Sequence, residues 1–162
     1  MIKYKQGNLL QAFENGEVDF IAHTCNATVG MGGGIARKIA LKYPKIQVFD
    51  SILRKQGNIL GTSQPFFVDN KIIYNVYAQY YPGKTRLEFD TFEDRIKWLE
   101  QGLIWINQWN KNKTIGVPLL SSGLGCDTKR KKGLSDLEYF QKYIASIVEK
   151  CLSDVDVTVY YL

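Results

Sequence analysis

Histidine and cysteine are both scarce in this chain: there is one histidine, His23, and three cysteines, Cys25, Cys126 and Cys151. A structural zinc site wants about four Cys or His ligands at short spacings, so this composition excludes one. No CxxC pair occurs and the cysteines are far apart and odd in number. A disulfide framework is therefore excluded as well, and free thiols in a reducing compartment are expected. No apolar run approaches the ~20 residues of a membrane span, which removes transmembrane classes and a membrane partner. The opening Met-Ile-Lys-Tyr-Lys-Gln-Gly-Asn holds no apolar stretch of the kind a secretory signal needs. A cytoplasmic protein is expected. Low-complexity tracts, internal repeats and linkers are also absent, so residues 1–162 read as one domain.

What is present is an ordinary globular composition, 45 % apolar and 23 % charged, in a chain long enough to bury a core. The net charge of +5 fits a phosphate-bearing partner and fits solubility equally well.

Strand and helix signals alternate. Met1–Tyr4 reads as a short strand, and the apolar run Val18–His23 as a buried one. Ile35, Ala36, Ile39, Ala40 and Tyr43 keep helical spacing after Gly34, and Pro44 closes that segment. A second helix is expected over Ile46–Lys55. Gln64–Val68 and Ile72–Tyr77 read as a hairpin turning at Asp69-Asn70. Thr91 is placed to cap a helix whose buried stripe is Phe92, Ile96, Leu99, Leu103 and Ile106. Ile115–Leu120 is a further buried strand. Ser135-Asp136-Leu137-Glu138 has the form of a capping box, opening a last helix with Leu137, Phe140, Ile144, Ile147 and Cys151 on one face. Asp156–Tyr161 completes the set as a strand. Helices between buried strands predict an α/β sheet covered on both faces, with ligands at the strand ends.

Two loops carry most of the functional signal. Asn26 to Gly34 joins a buried strand to a helix and ends in three consecutive glycines, which permit close backbone approach beside a helix N-terminus that attracts anions. It matches neither a Walker A loop nor a dinucleotide fingerprint. The alternative is a flexible connection. Pro118 to Asp127 follows another buried strand and offers hydroxyls, small residues and amides that suit an anion nest, or else a plain serine-glycine turn. Placed at one edge of a parallel sheet, the two loops support each other.

His23 sits at a strand's loop end beside the glycine loop. It reads either as a hydrogen-bonded core residue or as an acid–base group with a reference pKa of ~6.5. Asp127 reads as its carboxylate partner, as a base for water, or as a solvated turn residue. The basic run Lys129-Arg130-Lys131-Lys132 reads as a solvated face, or as a patch drawing a phosphorylated ligand or nucleic acid. Trp98, Trp105 and Trp109 lie on one helix and read as packing rather than a base-stacking platform. Cys25 and Cys126 flank the loops without a base to activate them, and read as small packing residues.

Together these residues resemble the macro domain family. The resemblance rests on Gly7-Asn8-Leu9-Leu10, on Ile21 through Asn26, on Gly32 through Ala36 and on Pro118 through Gly125, in that order and spacing. The final Thr158 through Leu162 is similar to the end of one branch. The branch most resembled is the ADP-ribose 1''-phosphate phosphatase type. It implies a three-layer α/β/α sandwich with a central mixed sheet. It also implies ADP-ribose or ADP-ribose 1''-phosphate as the partner, held in a cleft at the strand ends with no metal and no cofactor.

Carried over by position, Asn8 and Leu9 fall where the family recognises adenine. Many members have an aspartate where Asn8 stands, and asparagine retains an acceptor oxygen. Asn26 matches the asparagine that orients the distal ribose. Gly32, Gly33, Gly34 and Ile35 match the loop near that ribose and the diphosphate. Ser121, Ser122, Gly123, Leu124 and Gly125, with Cys126 behind them, match the phosphate-binding loop. A histidine at position 23 is similar to the phosphatase branch. Gln79 stands nearest to the position where the glycohydrolase branch carries a lysine, which argues against a lysine-based deglycosylase.

The implied activity is hydrolysis of the terminal phosphate of ADP-ribose 1''-phosphate, with His23, Asp127 and Asn26 as the catalytic set. His23 would assist the leaving group or position the phosphate, and Asp127 would activate water. The alternatives are an ADP-ribose-binding module without turnover, and an ADP-ribosyl hydrolase acting on modified protein or nucleic acid. The basic run keeps nucleic acid possible without favouring it, and a monomer is expected.

Overall fold

The structure is a computed structural model in which residues 2–86 and 88–162 are described. Its strands are β1 (Lys3–Gln6), β2 (Phe20–Asn26), β3 (Ser63–Val68), β4 (Lys71–Gln79), β5 (Thr114–Val117) and β6 (Asp156–Tyr161). They form one sheet in the order β1-β6-β5-β2-β4-β3. Every pairing is parallel except β3 with β4. That pair is the expected hairpin: Asp69 and Asn70 both adopt left-handed backbone, at φ 48° and 67°, as a tight two-residue hairpin turn requires. Pro65, which has no N–H to give, is tolerated because β3 is an edge strand. The strand expected over Met1–Tyr4 lies two residues further on, and Met1 itself is outside the described residues.

Side chains alternate across the sheet and build a core on each face. Ile21 and Ile73 point to the side covered by α1 (Leu9–Glu14), α2 (Gly34–Lys42) and α3 (Pro44–Gln56), where Phe13, Ile39 and Ile46 are buried. Phe20, Ala22, Val76, Val117 and Val159 point to the other side, against α4 (Phe92–Trp109) and the C-terminal helical run. The result is a three-layer α/β/α sandwich around a mixed sheet, as the family resemblance implies. Among the described residues no helix is long and apolar enough to cross a membrane.

Two helices have no counterpart in the sequence reading. Asn8 caps α1 by accepting the Gln11 amide at 3.0 Å, and Asp127 caps the one-turn α5 (Thr128–Lys131). At α4 the capping box of Thr91 and Asp94 is complete, and Leu99, Leu103 and Ile106 are fully buried. Trp98 packs on the core, but Trp105 and Trp109 lie against each other at a tilt on the outer face, 47 % and 65 % exposed. The last helix opens at Ser135 as expected, then runs as α6 (Asp136–Tyr139), a π-helical turn (Phe140–Ile144) and α7 (Ala145–Cys151). A π turn inserts a residue and rotates the face that follows. Val148 is therefore buried where Ile147 was expected, while ahead of the turn Tyr139 is buried and Leu137 only half-buried. The three cysteines are free and buried.

Candidate functional site

Because β1, β6, β5, β2 and β4 run parallel, their C-terminal ends open onto one edge of the sheet, where an α/β fold binds ligands. Two adjoining cavities lie there. The narrow one, about 250 Å³, is walled by the ends of β2 and β4 and by both glycine-rich loops. The wide one, about 730 Å³, is walled by Asn8, Leu9, Leu137 and the end of β6. Gly34, Ile35, Pro118, Leu119 and Gly123 border both, so they form one continuous cleft.

The first loop is folded by Asn26. Its Oδ1 accepts the amides of Thr28, Val29 and Gly30 at 3.3, 2.8 and 3.2 Å, and its Nδ2 donates to the Gly30 carbonyl at 3.0 Å. The side chain expected to orient a ribose is committed instead to shaping the loop, while Asn26 still borders the narrow cavity. Gly34 opens α2 at φ +55°, a conformation that favours glycine. The N-cap, Gly33, has no side chain to cap the first turn, which leaves the leading amides of α2 available to an anion.

The second loop has its carbonyls held from behind. Lys131 donates to the Ser122 carbonyl and Arg95 Nη1 to that of Gly125, the latter at 3.0 Å. Ser121 is held in left-handed backbone at φ 59°. The amides of Gly123, Leu124 and Gly125 donate to no other described residue. Leu124 is 75 % exposed, and its Cδ1 lies 3.9 Å from where a Cβ on Gly33 would be, so the two loops meet over the narrow cavity.

Arg95 was not singled out in the sequence. Buried in α4, it binds Asp90 through Nε and Nη2 at 2.7 Å each, and donates to the carbonyls of Tyr81, Gly83, Lys84 and Gly125. Asp90 in turn accepts the amides of Tyr80 and Tyr81. One buried guanidinium thus ties the 80–90 loop to the second glycine-rich loop, with Gly83 and Gly125 both on the cavity wall.

His23 does not reach the cleft. It is wholly buried, borders neither cavity, and its Nε2 donates to Asn75 Oδ1 at 2.7 Å. Burial pulls its pKa down to about 4, against a smaller upward pull from Asn75. Its reading as an acid–base group for the ligand is corrected and its reading as a hydrogen-bonded core residue matches: position 23 shares the face of Ile21 and Cys25, which points into the α2–α3 layer. From Asn75 a buried polar network continues through Tyr77, whose hydroxyl donates to Asp50 at 2.5 Å, to Arg54. Arg54 Nε donates to the Asn26 carbonyl at 3.2 Å, so this network braces the first loop from below.

Asp127 also borders neither cavity. Its Oδ1 caps α5 on the Lys129 amide at 3.1 Å, its Oδ2 pairs with Arg130, and its amide donates to the Tyr139 hydroxyl. Cys126 lies behind the loop, buried, and off the cavity walls. Cys25 does line the narrow cavity, with burial keeping its thiol protonated. Half of the basic run is structural: Arg130 pairs with Asp127 and Glu93 and stacks on Phe92, and Lys131 pairs with Asp136 at 2.5 Å. Gly33, Gly34, Ile35 and Ser121 through Gly125 line the narrow cavity. Gln79 joins them, with Thr24, Pro82 and Gly83 unforeseen, and Gly32 does not border it. Asn8 and Leu9 line the wide cavity.

No protein-family model matches the chain. It is similar to an uncharacterized 17.5 kDa protein of Enterobacteria phage T4, 28 % identical over 77 % of this chain and 81 % of that one. It is equally similar to the ADP-ribose 1''-phosphate phosphatase of Lodderomyces elongisporus, 28 % identical over 76 % of this chain and 82 % of that one. Among solved structures it superposes on the macrodomain of Mycobacterium tuberculosis DarG with a TM-score of 0.71, at 22 % identity, covering 100 % of this chain and 98 % of that one. Thermosipho africanus DarTG in complex with ADP-ribose gives 0.66 at 17 % identity, over 98 % of this chain and 41 % of that one. The chain thus has the fold of the macrodomains, and its sequence is similar to a protein named ADP-ribose 1''-phosphate phosphatase.

Proposed function

We propose that the chain binds ADP-ribose along the joined cavities and hydrolyses the terminal phosphate of ADP-ribose 1''-phosphate. The carrying observation is the pair of glycine-rich loops facing each other across the narrow cavity. The uncapped start of α2 supplies amides on one side, and the Gly123–Gly125 amides, their carbonyls held behind, supply them on the other. That is a site for a diphosphate and a further phosphate. The wide, largely apolar cavity fits the base.

In the reaction water attacks phosphorus, the bond to the 1''-oxygen breaks, and that oxygen takes a proton, giving ADP-ribose and inorganic phosphate. Phosphoryl transfer asks chiefly for positioning and stabilisation of charge, both of which fixed amides provide. The named phosphatase relative supports the reaction over other chemistry on this fold. Capture without turnover is the second reading. It is favoured by the placement of His23 and Asp127, neither of which presents a free acid–base group to the cleft.

The test is phosphate release from ADP-ribose 1''-phosphate in EDTA, beside calorimetry with ADP-ribose and assays on ADP-ribosylated protein and DNA. Release above blank supports the phosphatase. Tight ADP-ribose binding with no turnover of any substrate leaves the binding module, and no binding at all refutes both. Leu124→Glu puts a carboxylate where the loops meet, at an exposed position, and is expected to weaken ADP-ribose binding at least tenfold without unfolding the protein.

A further inference from the structure

We infer that Asp136 reads the ribose that joins the base to the diphosphate. The cleft therefore takes a nucleotide whose 2'- and 3'-hydroxyls on that ribose are free, and disfavours one carrying a 2'-phosphate. The inference rests on the ADP-ribose reading of the cleft and sharpens it to the state of this one sugar.

In any nucleoside diphosphate this ribose is bonded to the base on one side and to phosphate on the other. With the base in the wide cavity and the diphosphate on the amides of the narrow one, the ribose lies where the cavities meet. Gly123 borders both. Asp136 borders the wide cavity, and its Oδ2 lies 3.6 Å from the position a Cβ on Gly123 would take. The carboxylate thus stands at the junction, its side chain 58 % exposed and open to a ligand. Its place is fixed from two sides. Ser135 and Glu138 cap α6 reciprocally, at 3.1 Å each, and hold the backbone that carries it. Oδ1 is paired with Lys131 at 2.5 Å, which leaves Oδ2 to accept from the ligand.

Asp136 is the one acidic side chain among the described residues that border the wide cavity. Asn8, Ser135, Tyr160 and Tyr161 border it too, and each carries a donor as well as an acceptor, so they suit a hydroxyl and a phosphate alike. A carboxylate has acceptors only. It receives ribose hydroxyls, as acidic side chains do in dinucleotide folds, and opposes a phosphate by charge. The adjacent cation does not reverse this, because the Lys131 ammonium is engaged by Oδ1, the Ser122 carbonyl and the Tyr139 ring. Lys38, exposed on α2, is the other basic residue at this cavity and would favour the phosphate, so the experiment sets the two against each other.

The experiment is calorimetric titration of ADP-ribose, of its 2'-phosphate, and of its 2'-deoxy and 3'-deoxy forms on the base-side ribose, into the wild type and Asp136→Asn. The wild type should bind ADP-ribose about tenfold more tightly than the 2'-phosphate, and at least one deoxy form should bind about fivefold more weakly than ADP-ribose. Asp136→Asn should remove most of the penalty on the 2'-phosphate. Loosening of Lys131 in that variant weakens both nucleotides alike, so the ratio between them isolates the ribose contact. Thermal melts check that the variant is folded, and the deoxy series in the wild type tests the inference without it. A wild type that binds the 2'-phosphate as tightly as ADP-ribose, deoxy forms that both bind undiminished, or a penalty that Asp136→Asn leaves unmoved overturns the inference while leaving ADP-ribose binding intact. Failure of the wild type to bind any of the four nucleotides overturns the ADP-ribose reading and this inference with it.

Discussion

Arg95 shows how much of the cleft depends on one side chain that never lines it. Its guanidinium has enough N–H groups, in a fixed fork, to satisfy Asp90 and the carbonyls of Gly83 and Gly125 together, which a lysine ammonium cannot reach. Arg95→Lys should lower ADP-ribose affinity about tenfold while adenosine, confined to the wide cavity, binds nearly as before; an equal loss for both ligands would contradict the assignment. Arg95→Met strands the Asp90 carboxylate in the interior and should cost about 3–5 kcal/mol in urea unfolding. His23 makes a different prediction. It is neutral in the fold, with a pKa near 4, but titrates near the usual 6.5 once unfolded. As pH falls below 6.5 the unfolded chain takes a proton that the folded one refuses. Stability is therefore complete above that value and declines toward pH 4, by up to about 3 kcal/mol. Urea midpoints measured between pH 7 and 5 should fall in the wild type and flatten in His23→Gln. The sequence offered the residue both as a hydrogen-bonded core group and as an acid–base group and could not choose, since a strand's loop end says nothing of which layer its side chain enters. The pairing of His23 with Asn75 across β2 and β4 decides that, and the partners are 52 residues apart.

At the scale of elements, sequence periodicity and caps served well. The hairpin, the α4 stripe, the Ser135 box and both glycine loops are local signals, each written within about a dozen residues. Arg95, by contrast, draws its carbonyl partners from positions as far away as Gly125, so no window contains them. The short α1 was hidden because Asn8 had been read only as a ligand residue, although the same side chain is a helix cap. The π turn escaped because one inserted residue leaves composition untouched and shifts only phase. Gly102, inside α4, tests how closely that helix lies on the sheet. Alanine there has the better helix propensity by about 1 kcal/mol. Its Cβ would nevertheless sit 2.6 Å from Val76 Cγ1 and 2.8 Å from Ser63 Oγ, the hydroxyl that donates to the Gly102 carbonyl. Gly102→Ala should therefore destabilise the protein by about 1–3 kcal/mol, seen as a lower urea midpoint. A stabilised variant would mean that α4 can lift from the sheet at little cost.

Across the whole molecule, the cleft draws on segments spread along the chain, from the residues after β1 to the end of β6, so ligand occupancy and global stability are linked. ADP-ribose at one hundred times its Kd should add about 2.7 kcal/mol to the unfolding free energy. An unchanged melting temperature at that concentration would show that the nucleotide binds elsewhere or not at all. The strand order carries one more consequence, for how the protein reaches its native state. β1 is an edge strand whose one neighbour in the sheet is β6, and the Gly7 amide donates to the Tyr161 carbonyl at 2.8 Å. The earliest strand waits for the latest, across most of the chain, and closing so long a loop is slow. The wide end of the cleft is thus the last part to mature. In refolding experiments nucleotide binding should lag behind the burial of Trp98 in the α4 layer.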